Sequence, residues 1–250
     1  MTDIASHRGG AAIWPENSRL AFEETAKLAV EQIEFDVQLS ADGVPVIFHD
    51  SDVARVTDGT GQLVNKTLAE IKALTISNGG GQIMTLAEGL ELLAPTHLLL
   101  RCEIKPGPEI RPYPGLREAT VAMIAANRLL DRTVLTSFHL PTLAALADER
   151  VAAKDLIWLV ADPIMRLTSP EAVAHLAQTS GIDHVAPHHL SLRDGMLDML
   201  RDKGLTVGAF AVLEDEAIVW ALENDLSVFT TDRPNSAVVI RDRLVRGTGA

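Results

Sequence analysis

The sequence predicts an α/β fold, a (β/α)8 barrel, on three observations. At 250 residues, with 47% hydrophobic and 22% charged side chains, the chain matches the usual size of one barrel and has apolar content enough for a large core. Short apolar or β-branched runs alternate eight times with amphipathic stretches long enough for a crossover, which implies parallel strands closing on themselves. The alternation breaks in one place only, and no internal repeat or Pro/Gly/Ser-rich linker divides the chain, so residues 1–250 read as a single catalytic unit.

In order, the strands fall near 2–6, 33–39, 98–105, 133–138, 155–161, 183–187, 206–212 and 227–231. Helical patterns follow near 17–31, 86–94, 116–129, 141–150, 170–179, 192–203, 214–224 and 235–245. The break is a ninth strand, Val44 to His49, separated from its predecessor by only Ala41-Asp42-Gly43. Three residues cannot house a parallel crossover, so this segment returns antiparallel as a hairpin arm. With Gly43 supplying a positive φ, Ser40 faces Val44 and Asp36 lies opposite Phe48, which sets His49 beside Glu34 and Asp36. Residues 50–84, with Gly59, Gly61 and Gly79-Gly80-Gly81 but no Phe, Trp or Tyr, form a small insertion unlike a membrane-inserting cap.

Composition excludes several classes. A formal charge of −12 is wrong for a nucleic-acid surface, so an anionic ligand would need local cations or a bound metal. Cys102 is the only cysteine, which rules out an intramolecular disulfide and fits a reducing cytoplasm. No apolar stretch approaches the roughly 18 to 20 residues of a membrane span, and the first residues lack a basic, apolar leader, so a soluble, unexported protein is expected.

Side chains two apart share one face of a strand, so Glu34 and Asp36 converge on one side of the second strand, and Glu103 and Lys105 on one side of the strand near 98–105. Three hard oxygen ligands without thiolates suit Mg²⁺ or Ca²⁺; the competing reading is a buried ion network with Lys105. His7 follows the first strand directly, at the C-terminal rim where barrel active sites lie, and His49 reaches the same rim through the hairpin. Two imidazoles supply an acid and a base near neutral pH, while Arg8 and Lys105 supply phosphate donors. Asn17 reads as a helix cap, Glu16 as a cap neighbour or a support for Arg8 or a histidine, and Asp232 as a turn and cap before Pro234. His97, His175 and His184 read as structural or solvated. His139, His188, His189, Arg111 and Tyr113 lie near the mouth, where loop solvation competes with substrate contact.

These pieces occur in order: His7-Arg8-Gly9, Pro15-Glu16-Asn17-Ser18, Glu34-Phe35-Asp36-Val37, Asp42-Gly43, His49-Asp50, Arg55-Val56-Thr57-Asp58-Gly59, Thr85-Leu86, Glu103-Ile104-Lys105 and Thr231-Asp232-Arg233-Pro234. The chain resembles the glycerophosphodiester phosphodiesterase family over nearly its whole length. The resemblance implies a TIM barrel with an insertion after the histidine strand, Glu34, Asp36 and Glu103 as ligands of Mg²⁺ or Ca²⁺, His7 and His49 as the acid/base pair, and Arg8 and Lys105 as phosphate binders. It also implies hydrolysis of small diesters such as glycerophosphocholine or glycerophosphoethanolamine to glycerol 3-phosphate and an alcohol. A lysophospholipid substrate and a non-catalytic binding protein are the rivals, and the oligomeric state is not written in the sequence. Departures are Val30-Glu31-Gln32 where the family has a Gly-Ala pair, Met84 where a proline often stands, and Phe210 where a substrate-stacking tryptophan is usual.

Overall fold

The computed structural model describes residues 2–247; residues 1 and 248–250, the ends of the expected 1–250 unit, lie outside the described residues. Eight parallel strands form the barrel: β1 (Asp3–Ser6), β2 (Gln32–Leu39), β6 (Leu99–Ile104), β7 (Thr133–Ser137), β8 (Asp155–Val160), β9 (His184–Pro187), β10 (Thr206–Val207) and β11 (Val228–Thr231). Their order around the sheet is β10-β9-β8-β7-β6-β2-β1-β11. The seam between β10 and β11 is held by Ser227 N donating to Val207 O at 3.0 Å and by the Ala209–Phe229 bridge. β10 is shorter than the expected 206–212. At Gly208, a Cβ would stand 2.7 Å from the Val228 carbonyl, so the seam is close-packed backbone.

The hairpin arm is β3 (Pro45–Ile47), antiparallel to β2 with Val37 opposite Ile47 and Leu39 opposite Pro45. Ser40 N donates to Val44 O at 3.0 Å and Phe48 N to Asp36 O at 3.0 Å, the register that the three-residue turn dictates. Gly43 has φ +80°, as that turn requires. The insertion that follows contains α2 (Leu68–Lys72) and the small pair β4 (Thr75–Ile76) and β5 (Gly81–Gln82). It has its own apolar core of Val53, Leu63, Ile71, Ile76 and Ile83, shared with Val46 and Phe48 of the arm.

The barrel is wrapped by α1 (Arg19–Thr25), α3 (Leu86–Leu93), α4 (Leu116–Ala126), α5 (Leu140–Asp148), α6 (Asp162–Leu167), α7 (Pro170–Thr179), α8 (Met196–Asp202), α9 (Asp215–Glu223) and α10 (Pro234–Gly247). Outward side chains Ile33, Phe35 and Val37 of β2 are fully buried, with Phe35 tilted against Phe22 of α1 at 5.8 Å between ring centroids. Each such ring contributes about 1.5–3 kcal/mol by leaving water. α3 starts at a reciprocal cap, Thr85 with Glu88, explaining its sharp onset. α1 is shorter than the expected 17–31: beyond it the Glu31 carboxylate accepts Ile4 N at 2.8 Å, so the chain already feeds β2. Among the described residues no helix is long and apolar enough to cross a membrane.

Inside the barrel the two walls differ. Ala5, Val134, Ile157, Leu159, Ala186 and Val228 fill one part with apolar atoms, while β2 and β6 present Glu34, Asp36, Arg101 and Glu103. The parallel register sets Asp36 beside Glu103 and Glu34 beside Arg101. Two-residue periodicity on adjacent strands therefore concentrates the carboxylates at one end of one wall.

Candidate active site

After β1 the backbone tightens into a single turn, His7–Gly9, with Arg8 at φ 51° and Gly9 at φ 79°. A Cβ on Gly9 would come within 2.8 Å of the Ala21 Cβ, so the loop can lie on α1 only because that side chain is missing. The turn throws His7 and Arg8 over the barrel mouth and aims the Arg8 backbone N–H at Glu34 Oε2, 2.9 Å away. His7 Nδ1 donates to Asp232 Oδ1, just beyond β11. A carboxylate only accepts, so the proton is fixed on Nδ1 and Nε2 is left facing Glu34 Oε2 at 4.0 Å.

His49 is built in parallel fashion from the other side. Gln38 Nε2 reaches the carbonyls of Phe48, His49 and Asp50 at 2.9, 2.8 and 2.8 Å and holds the end of the arm against β2. Tyr113, expected near the mouth, is instead buried and donates to Gln38 Oε1 at 3.2 Å, supporting that clamp. His49 Nδ1 donates to Asp50 Oδ1 at 2.6 Å, which again leaves Nε2 as the free nitrogen.

Glu34, Asp36 and Glu103 are all buried, and one carboxylate oxygen from each lies within 4.8 Å of the others. Lys105 Nζ sits 3.0 Å from Asp36 Oδ1 and 2.8 Å from Glu103 Oε1. Asn17 Nδ2 donates to Asp36 Oδ2 at 2.8 Å, and Arg8 Nε lies 3.5 Å from the same oxygen. The expected cap on Asn17 is thus corrected: Ser18 caps α1 by accepting Ala21 N, while Asn17, at φ 54°, turns its amide onto Asp36. Asparagine tolerates that left-handed backbone better than most residues, which frees its side chain for the site.

The charges separate the titration of these groups. Burial alone would raise Asp36, but Lys105, His49 and Arg8 hold it well below the usual carboxylate range. Glu34 is pushed up to about 7 by burial and by the adjacent Asp36 charge. Burial opposes a charged His7, yet the Asp232 hydrogen bond and the Glu34 charge outweigh it and its pKa is raised. His49 is lowered, with burial and the Lys105 and Arg8 cations prevailing over Asp36. Lys105 satisfies part of the acid cluster, so the ion-network reading is partly realised. Glu34 still carries a desolvated carboxyl that ionises only at a cost. Three clustered hard oxygens, one of them in that condition, fit a divalent cation.

The cleft above this centre has a volume of about 230 Å³ and is lined by His7, Glu34, His49, Glu103, Phe138 and Phe210 among others. Phe210 meets Phe138 and His188 edge-on at 5.3 and 5.4 Å, forming an aromatic wall from loops after different strands. His139 is turned to Thr142 Oγ1 at 2.9 Å, and His188 stacks on His189. Arg111 is exposed beside Glu109. His184 lies at the start of β9, between Asp155 Oδ2 and Ser227 Oγ at 2.7 Å each, a structural role as expected; His97 bonds the Val30 carbonyl and His175 is exposed. Asp232 is corrected from a cap to the partner of His7. Sequence reasoning gave no role to Asp50 and Arg55, which enter only as parts of the motifs that carry the resemblance, and passed over Arg101. Arg101 shares the inward face with Glu103 and Lys105, and that two-residue spacing was the available signal. Its guanidinium is fully buried at the cleft floor, where burial lowers its pKa to about 10.

Fold and site together define a barrel of the enzyme type, with two histidines and three buried carboxylates gathered at its C-terminal rim. The sequence model of the glycerophosphoryl diester phosphodiesterase family matches residues 7–236, and the chain belongs to that family. A glycerophosphodiester phosphodiesterase of Bacillus altitudinis is 28% identical over 251 residues, covering 98% of this chain and 100% of that protein. One from Caldanaerobacter subterraneus is 38% identical over 144 residues, 55% of this chain and 58% of its own length, so that match spans less than two thirds of the relative. A crystal structure from Agrobacterium tumefaciens, described as a candidate glycerophosphoryl diester phosphodiesterase, superposes with a TM-score of 0.93 at 35% identity over 98% of this chain and 99% of that one. An Oleispira antarctica phosphodiesterase, solved with its product sn-glycerol-3-phosphate, shares the fold at a TM-score of 0.79 and 24% identity over 97% of each chain.

Proposed function

We propose that the protein is a metal-dependent glycerophosphodiester phosphodiesterase, releasing glycerol 3-phosphate and an alcohol from diesters such as glycerophosphocholine or glycerophosphoethanolamine. The observation that carries this reading is the pair of imidazoles beside one three-carboxylate centre, each with its Nδ1 held by a carboxylate and its Nε2 left free. The product bound to the Oleispira antarctica relative supports the glycerol phosphate end of the substrate.

Glu34, Asp36 and Glu103 would hold Mg²⁺ or Ca²⁺, which when bound neutralises charge on a phosphate oxygen. Arg8 and Lys105 supply the fixed cations for the remaining phosphate oxygens. His49, kept below its ordinary pKa and with a free Nε2, takes the proton from the attacking hydroxyl, whether of water or of the neighbouring glycerol carbon. His7, kept above its ordinary pKa, gives a proton to the departing alkoxide, so the alcohol leaves neutral. Phe210 and Phe138 wall the cleft where substrate would enter. The chain acts as one catalytic unit, and its sole cysteine, free and buried, suits the cytoplasm.

The test is incubation with glycerophosphocholine and, in parallel, lysophosphatidylcholine, after EDTA and after restoring Mg²⁺ or Ca²⁺, following choline, which both substrates release, with a coupled oxidase, and glycerol 3-phosphate from the soluble diester with a coupled dehydrogenase. Metal-restored product from the soluble diester is expected. Product from the lysolipid alone, or tight binding without turnover in either metal, overturns the proposal.

A further inference from the structure

We propose that Arg55, carried by the insertion, is a positioning residue that sets His49 and Arg8 in one frame by bridging Asp50 and Glu16. The inference rests on the phosphodiesterase reading of the site and gives the aromatic-free insertion a role, that of buttressing the acid–base centre.

The guanidinium of Arg55 is shared between two carboxylates. Its Nη1 and Nη2 donate to Glu16 Oε2 and Oε1 at 2.8 and 2.7 Å, and its Nε and Nη2 donate to Asp50 Oδ2 and Oδ1 at 2.5 and 3.0 Å. Asp50 Oδ1 is the same oxygen that accepts His49 Nδ1 at 2.6 Å. Glu16 Oε1 is the same oxygen that accepts Arg8 Nη1 at 3.0 Å. A single planar group therefore fixes the two carboxylates that in turn orient a catalytic imidazole and a phosphate-binding cation. Only arginine, with donors on several edges of one plane, can do this; a lysine ammonium is a point.

The mounting of Arg55 is rigid for an exposed residue. It ends a one-turn helix, Val53–Arg55, capped by Asp52 accepting Ala54 N at 2.9 Å. Val53 is fully buried in the insertion core together with Phe48, the residue immediately before His49. Exposed ion pairs add little to stability. Here the two acids are largely covered, with side chains 12% and 23% exposed for Glu16 and Asp50, so the consequence is orientation.

The test uses Arg55→Ala in the full chain. With glycerophosphocholine, kcat falls through His49 and KM rises through Arg8, together lowering kcat/KM by up to about 100-fold, the scale of a 1 Å misplacement. Guanidinium chloride at a few millimolar restores both by filling the vacated fork. Independently of turnover, long-range 1H–15N spectra of the histidines show His49 protonated on Nδ1 in the parent and as a mixture of tautomers in Arg55→Ala. If Arg55→Ala does not fold, Arg55→Lys carries the same measurement, since its ammonium cannot engage both carboxylates as forks. Unchanged kinetics with an unchanged His49 tautomer overturn the proposal, as does a loss in a folded variant that guanidinium leaves unrestored. Absent turnover in the parent counts against the phosphodiesterase reading instead, and the tautomer spectrum then decides Arg55 by itself.

Discussion

Asp232→Asn isolates the proton-donor half of the proposed mechanism. The carboxylate accepts His7 Nδ1–H, and that hydrogen bond, together with the Glu34 charge, keeps the His7 pKa raised against burial. Asparagine keeps the shape but not the charge, so a charge-assisted hydrogen bond is replaced by a neutral one or, with the amide turned, by one that forces the proton to Nε2. Such a bond is worth about 1.5–3 kcal/mol, or a loss of about 10- to 150-fold in kcat, with KM nearly unchanged because the Asp232 carboxylate pairs with His7 rather than with Arg8 or Lys105. The sign of the pH effect follows: removing Asp232 lowers the His7 pKa, so the protonated acid survives only to lower pH and the alkaline limb of the rate profile moves down. The assay compares glycerophosphocholine with bis(p-nitrophenyl) phosphate, whose phenolate leaves without protonation. The variant should lose its rate on the first and largely retain it on the second. An equal deficit on both substrates, or an unchanged kcat on the first, would show that His7 is not the acid.

Other outcomes follow from the same geometry. His49→Ala should abolish turnover of both substrates, since proton removal from the attacking group is needed whatever the leaving group; near-normal rates on bis(p-nitrophenyl) phosphate would refute it. Glu34 titrates near 7, so Mg²⁺ or Ca²⁺ affinity measured by calorimetry should be steady above that pH and weaken as pH falls below it, when the carboxyl takes up a proton. Glu34→Gln should remove that dependence together with most of the affinity. Gly9→Ala places a methyl group 2.8 Å from Ala21 Cβ at φ 79°, and should cost about 2 kcal/mol, lowering Tm by about 4–8 °C in a calorimetric scan.

Much of the barrel was legible in the sequence, and the reason is local. Alternation of period-two and period-3.6 segments marks strands and crossovers, and a three-residue turn at Gly43 fixes the hairpin register that carries His49 to Glu34 and Asp36. The acid faces of β2 and β6 follow from the pleat alone. Residues whose roles depend on backbone geometry or on distant partners were not legible. Asn17 reads as a cap until its φ of 54° shows that Ser18 fills that position instead.

Asp232 lies 225 positions from His7, and Arg55 lies 39 from Glu16, separations that no local pattern encodes. By itself, then, the sequence determined the alternating strands and helices, the hairpin and the gathering of His7, His49, Glu34, Asp36, Glu103, Arg8 and Lys105 at one end of the barrel. Tertiary structure alone decided which nitrogen of each histidine faces the cleft, that Lys105 pairs with Asp36 and Glu103, and that the insertion grips Glu16 and Asp50. The physical reason is that side-chain periodicity is a property of one segment, whereas hydrogen-bond partnership and desolvation arise only when barrel closure brings segments together.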